Sequence, residues 1–206
     1  MLKAKYRTSF SSAEKFTGVL FSKIPITPNQ WTLLSLIFGG AGFLLASIYG
    51  NLIASLVLFF LAFFFDYVDG AVARYSKLET KKGAYIDGIS DRFVEAFIIF
   101  GLMFYKIPNV LVDANILLAV LLFFSTMTSY ARSYAGHKGL ITNEKELMRM
   151  GGLLERFERV FILLSSVSIS FIYGAEIISY SIILLVLLSA ITVAQRIFYV
   201  LRRPGR

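Results

Sequence analysis

Residues 66–91, DYVDGAVARYSKLETKKGAYIDGISD, set four aspartates at helical spacings inside strongly apolar sequence. On a helix that advances about 100° per residue, Asp66, Asp69, Gly70, Ala73 and Arg74 share an arc of roughly 140°. Gly83, Asp87 and Asp91 follow one another at i, i+4 within an arc of about 80°. The polar connection through Ser76, Lys77, Glu79, Thr80, Lys81 and Lys82 lets the two segments pack antiparallel, so that all four carboxylates converge at one level. Carboxylates at membrane depth are costly, and they are rare unless they meet a partner or a water-filled cavity.

The surrounding sequence is that of a membrane protein. Of 206 residues, 57% are hydrophobic, 20 are Phe and only 17% are charged. A soluble domain carries about 25% charged residues. Apolar stretches of spanning length cover 31–49, 52–73, 84–105, 114–134, 156–174 and 177–199. The expected architecture is an all-α integral membrane protein in one domain over 1–206. A bundle of six transmembrane helices would occupy 29–201, preceded by an interfacial helix within 1–25.

Charge orients this bundle. Of 21 Lys and Arg residues, Lys106 alone falls on one side if the six spans are right; the other 20 fall opposite. By the positive-inside rule, both termini and the acidic site face the cytoplasm in a multi-pass cell-membrane protein. The net charge of +8 then reflects orientation and attraction to anionic headgroups. Nucleic-acid binding is disfavoured, since no basic soluble domain exists to carry it.

Met1 to Ser22 has no continuous apolar core and is not read as a signal peptide. Tyr6, Phe10, Ala13, Phe16 and Leu20 recur at spacings of three and four, with Lys5, Glu14 and Lys15 elsewhere on the wheel. That pattern is an amphipathic helix lying in the interface. The chain has no cysteine, which removes disulfides and thiolate ligands, and its one His137 reads as a solvated loop residue.

Carboxylate oxygens without His or Cys suit hard cations such as Mg²⁺ or Mn²⁺. Four negative charges in one small volume oppose one another's ionisation, and two divalent ions offset that charge. Such pairs characteristically serve phosphoryl chemistry. Arg74, on the same face, is suited to hold a phosphate. The bland reading is interhelical pairing of these acids with Arg74, Arg92 and the loop lysines. Salt bridging does not require the two glycines or this spacing.

The string D-x-x-D-G-x-x-A-R-x8-G-x3-D-x3-D runs without departure through Asp66, Asp69, Gly70, Ala73, Arg74, Gly83, Asp87 and Asp91. It resembles the signature of the CDP-alcohol phosphotransferases, six-helix membrane enzymes of phospholipid synthesis. The resemblance implies transfer of a phosphatidyl-type group from a CDP-linked lipid to an alcohol, with release of CMP. It implies Asp66, Asp69 and Asp87 as the main metal ligands, with Asp91 beside the metals and acting as base. Gly70, Ala73, Arg74 and Gly83 would line the nucleotide pocket with Asp66 and Asp69. Asn29 and Thr32 add polar groups where the first span starts, although Asn29 after Pro28 also reads as a helix cap. The family also implies a homodimer.

A second charged region, SYARSYAGHKGLITNEKELMRMGGLLERFER over 129–159, interrupts the fourth and fifth spans. Arg132, Arg156 and Arg159, with Gln195-Arg196 on the sixth span, bring arginines from three helices to the level of the aspartates. Arginine matches phosphate geometry, as a phosphorylated acceptor requires. The competing reading is snorkelling to headgroups, or pairing with Glu155 and Glu158. GGLLERFERV resembles an element of the prokaryotic phosphatidylinositol-phosphate synthases and their archaetidylinositol-phosphate counterparts, as do SYAR and Gln195-Arg196. That likeness implies inositol 1-phosphate as acceptor, held by Arg132, Arg156 and Arg196, with CDP-diacylglycerol or CDP-archaeol as donor. Tyr134 departs from the basic residue common there. Residues 141–150 read as an insertion, a lid or a cytoplasmic turn. Glycerol 3-phosphate as acceptor and CDP-inositol as donor are the neighbouring alternatives. A cation-coupled transporter is the alternative of another class, but the chain shows no internal repeat.

Overall fold

Nearly every apolar stretch begins beside a residue able to cap a helix, and those residues set the helix starts. A computed structural model describes residues 7–143, 146–147 and 150–202. Its long helices are α1 (Arg7–Phe21), α2 (Pro28–Tyr49), α3 (Leu52–Tyr75), α4 (Lys81–Leu102), α5 (Ala114–His137), α6 (Arg156–Tyr173) and α7 (Glu176–Leu201). No strand occurs among the described residues.

The start of α2 is Thr27-Pro28, where the Thr27 N–H donates to Gln30 Oε1 at 2.8 Å. Pro28 occupies the first helical position, where its missing N–H costs nothing. Thr27, rather than Asn29, is therefore the cap, and Asn29 sits in the first turn. Asn51 caps α3 by accepting from Ala54 N–H at 3.1 Å, and Asp113 caps α5 by accepting from Asn115 N–H at 2.9 Å. Thr80 caps α4, its hydroxyl accepting from Gly83 N–H at 2.9 Å. That cap starts α4 three residues before the expected 84, and the helix ends at Leu102 rather than at 105. His137 is the last residue of α5 rather than part of a loop, and it is exposed.

Among the described residues, four helices, α2, α3, α5 and α7, are long and apolar enough to cross a membrane. The other two expected spans, α4 and α6, have 22 and 18 residues, but each carries charged side chains. Those charges separate them from the other four by composition.

The chain forms two compact units, the first ending at Tyr105 and the second beginning at Lys106. In the first, α2 packs against both α3 and α4, while α3 and α4 touch each other much less. Phe59 of α3 is fully buried, against Gly42 of α2 and Gly101 of α4. A second cluster joins Trp31, Val68 and Val72 with Phe21, Ile26, Leu34 and Phe65, which ties α1 to α2 and α3. The exposed Phe16 and Leu20 lie on the apolar face expected of α1; Tyr6 lies outside the described residues. In the second unit, α7 packs on both α5 and α6 around Leu118, Leu121, Leu163, Ile182 and Leu185. Ile141 and Met150, from the expected insertion, are buried with Ala135 against Leu147 and Val200. Those ends are packed segments, while Glu144, Lys145, Met148 and Arg149 lie outside the described residues.

Candidate active site

Because α2 separates α3 from α4 along much of their length, a cleft opens between them at the polar end. It encloses about 140 Å³. Its walls bring together Asn29, Thr32, Asp69, Gly70, Ala73, Arg74, Gly83 and Asp87. Two helices and the first turn of a third thus supply one concave surface. Leu78, Glu79, Thr80 and Ala84 line it too, and none of these was singled out as a site residue. Thr80 announces itself in sequence only as a helix cap.

Three of the four aspartates converge. One carboxylate oxygen from each of Asp66, Asp87 and Asp91 lies within 4.8 Å of the others. All three are half-buried, so their mutual repulsion is only partly screened by water. An all-oxygen donor set this tight suits a hard divalent cation and can bind one. Asp69 stands outside that trio, although it was expected to share it. Its carboxylate is buried and accepts a hydrogen bond from Thr32 Oγ1 at 2.6 Å. A buried carboxylate needs such a donor. Thr32 is thus committed to Asp69, and any contact it makes with a nucleotide is additional to that bond.

Of the basic residues near the motif, one pairs outside the trio and one pairs with a member of it. Arg74 donates through Nε to Glu14 of α1 rather than to a motif aspartate. Arg92 lies 3.7 Å from Asp91 and 3.3 Å from the buried Glu95, one turn deeper along α4.

In the second unit, Arg132 of α5 and Arg196 of α7 share a single carboxylate. Their Nη2 atoms lie 3.4 and 2.9 Å from Glu155 Oε1. Arg132 also donates to the Met150 carbonyl at 3.1 Å, and Arg196 donates to the Thr128 carbonyl. Glu155 is placed by the start of α6, where its own N–H donates to Glu158 Oε2 at 3.1 Å. Arg156 follows it as the first residue of α6. Arg159, one turn on, is buried and donates to Ser125 Oγ at 2.7 Å. Gly152 is required here, since a Cβ would lie 2.1 Å from the Thr192 methyl, and Thr192 Oγ1 accepts from Leu154 N–H at 3.1 Å. The pairing with Glu155 thus coexists with the arginine cluster instead of replacing it. The Nε groups of Arg132 and Arg196 are buried without a hydrogen-bond partner.

The chain is similar to known proteins. The phosphatidylinositol phosphate synthase of Mycobacterium tuberculosis (strain ATCC 25618 / H37Rv) is 30% identical over 188 residues, covering 89% of this chain and 83% of its own. The archaetidylinositol phosphate synthase of Methanothermobacter thermautotrophicus is 31% identical over 154 residues, 75% of this chain and 73% of its own. A crystal structure of M. tuberculosis phosphatidylinositol phosphate synthase with CDP-DAG bound matches with a TM-score of 0.73 at 27% identity, over 93% of this chain and 95% of that one. A crystal structure of the same synthase in complex with manganese and citrate gives the same TM-score over 93% and 90%. The family model for CDP-alcohol phosphatidyltransferase matches residues 25–201. The chain is a transferase of phospholipid biosynthesis, a multi-pass membrane protein belonging to the CDP-alcohol phosphatidyltransferase family.

Proposed function

We propose that the chain transfers a phosphatidyl or archaetidyl group from a CDP-linked lipid to inositol 1-phosphate, releasing CMP. The observation that carries the acceptor is the pair of buried Nε donors, on Arg132 and Arg196, that lack a hydrogen-bond partner although both arginines share Glu155. A buried donor without an acceptor is expensive, so these two arginines call for an anion. A phosphate monoester on the acceptor supplies one, and arginine binds it bidentately. The relatives' names, phosphatidylinositol phosphate synthase and archaetidylinositol phosphate synthase, extend that reading toward inositol phosphate, which Arg132, Arg156 and Arg196 would hold.

Asp66, Asp87 and Asp91 would hold the divalent metal, with Asp69 completing a site for two Mg²⁺ or Mn²⁺ ions. Such ions, when bound, grip the phosphate oxygens of the donor and offset charge developing on its diphosphate. The remaining work falls to the chain. Gly70, Ala73 and Gly83 leave room for cytidine and ribose, while Asn29 and Arg74 provide polar contacts. Asp91 takes the proton from the acceptor hydroxyl as its oxygen attacks the β-phosphorus. The bond from that phosphorus to CMP breaks, and CMP leaves.

The two units would act as one domain over 1–206, with the six-helix bundle over 29–201; the family match over 25–201 supports that reading. With α4 and α6 the bundle would have six spans: the charges of α6 sit in its first turn, and those of α4 in its first four turns, around the site. The termini and the site would face the cytoplasm, with α1 in the interface, and the enzyme would work as a homodimer.

The deciding assay is CMP release by purified protein supplied with CDP-diacylglycerol and Mg²⁺. Inositol 1-phosphate should support release and glycerol 3-phosphate should not. Release with glycerol 3-phosphate alone would overturn the acceptor. Silence with CDP-diacylglycerol and with CDP-archaeol, but a water-soluble product from CDP-inositol, would overturn the donor.

A further inference from the structure

Among the described residues, the N-terminal helix meets the cleft through the Glu14–Arg74 contact, and the rest of its docked face is built to hold that contact in place. Glu14, Gly18 and Phe21 recur at i, i+4 and i+7 on one side of α1. Gly18 lies so close to α3 that a Cβ there would come within 2.7 Å of Tyr75 Cβ and 2.8 Å of the Ala71 carbonyl oxygen. One turn on, the Phe21 ring packs edge-on against Trp31 and Phe64, both at 5.5 Å between centroids. With Gly18 and Phe21 fixing the helix, Glu14 accepts from Nε of Arg74. The far end of that guanidinium rests over Gly70, its Nη2 only 2.9 Å from where a Cβ of residue 70 would stand. Arg74 thus reaches from α1 into the cleft, and it lines the cleft together with Asp69 and Gly83.

We propose that Glu14 is a positioning residue of the donor site. It holds Arg74 by Nε and leaves both terminal nitrogens to the diphosphate of the CDP-linked donor, which makes α1 part of the nucleotide cleft. The inference rests on the donor reading given above. An unrestrained arginine side chain loses rotamer freedom when it grips a phosphate, and a pre-oriented one loses less. Glu14 engages Nε rather than the terminal fork, so bidentate phosphate geometry stays available. The pair is open to solvent, at 53% for Arg74 and 26% for Glu14. Exposed pairs add little to stability, so the effect belongs in donor affinity rather than in folding.

The test measures CDP binding to the purified full-length protein with Mn²⁺ by calorimetry, alongside initial rates with varied CDP-lipid and varied acceptor. Glu14→Gln should weaken CDP binding and raise the donor KM by about five-fold, the scale of one partly exposed charge pair. The kcat and the acceptor KM should hold within about two-fold. Glu14→Asp should recover part of the loss. Gly18→Leu, which pushes α1 off α3 while retaining Glu14, should move the same two constants in the same direction. In an Arg74→Gln background, Glu14→Gln should do nothing further. Unchanged CDP affinity in Glu14→Gln, or an equal effect with Arg74 already removed, would overturn the proposal. Wild-type protein that binds no CDP would instead defeat the donor-site reading itself.

Discussion

The aspartate cleft and the arginine constellation are both charged sites set into apolar helices, yet they are assembled in opposite ways. The first gathers like charges from one short stretch of chain, residues 66–91, and leaves three carboxylates facing one another within 4.8 Å. The second draws Arg132, Glu155, Arg159 and Arg196 from three helices and partly neutralises itself through Glu155. A site where like charges converge favours an external counter-ion. A site carrying its own carboxylate is left with a smaller surplus and competes less fiercely for a ligand. The aspartates should therefore tolerate nothing, and the arginines should respond in a graded manner.

Metal removal is the largest break in that comparison. Dialysis against EDTA should abolish CMP release, and Mg²⁺ or Mn²⁺ should restore it, while the helical circular dichroism stays unchanged. Persistent turnover in the chelated protein would contradict a metal role for Asp66, Asp87 and Asp91. Next comes Asp91→Asn, which should cost kcat a factor of about 10²–10⁴, the usual worth of a general base. Full turnover in a folded Asp91→Asn protein would remove Asp91 from that role.

Arg196→Gln sharpens the other side. It leaves Glu155 paired with Arg132, and it strips one donor from the anion site. The acceptor KM should rise by roughly 30-fold or more, as for truncation of a buried charge pair, with the donor KM unchanged. A matching rise in both constants would mean that the helix packing had failed instead. The smallest effect belongs to Thr32→Val. Removing the hydroxyl leaves the buried Asp69 without its 2.6 Å donor and should lower stability by about 1–3 kcal/mol. Denaturant melts of a Thr32→Val protein that match wild type would show that Asp69 finds another partner.

How far each region could be read in advance follows from the same contrast. Helical periodicity acts over a few turns, so a motif whose members lie on two consecutive helices shows its shared faces directly. The periodicity did not separate Asp69 from the other three, because Asp66 and Asp69 lie on neighbouring turns of one helix face. What distinguishes them is Thr32, donated by α2 from 37 positions away. Asn29 was ambiguous for a similar reason: cap and cleft residue differ by two positions at the start of α2, and the Thr27–Gln30 bond decides between them.

The amino-acid sequence alone determined the membrane setting, the all-helical class and the acidic motif with its arginine. Composition, apolar run length and helical spacing are local properties, which need no knowledge of packing. Tertiary structure decided what each charged group meets. It sent Arg74 to Glu14, set Arg132 and Arg196 on Glu155, and left Asp69 to Thr32. Those partners are separated by many residues along the chain, and the energy of a buried charge depends on whichever neighbour the fold brings within hydrogen-bond reach.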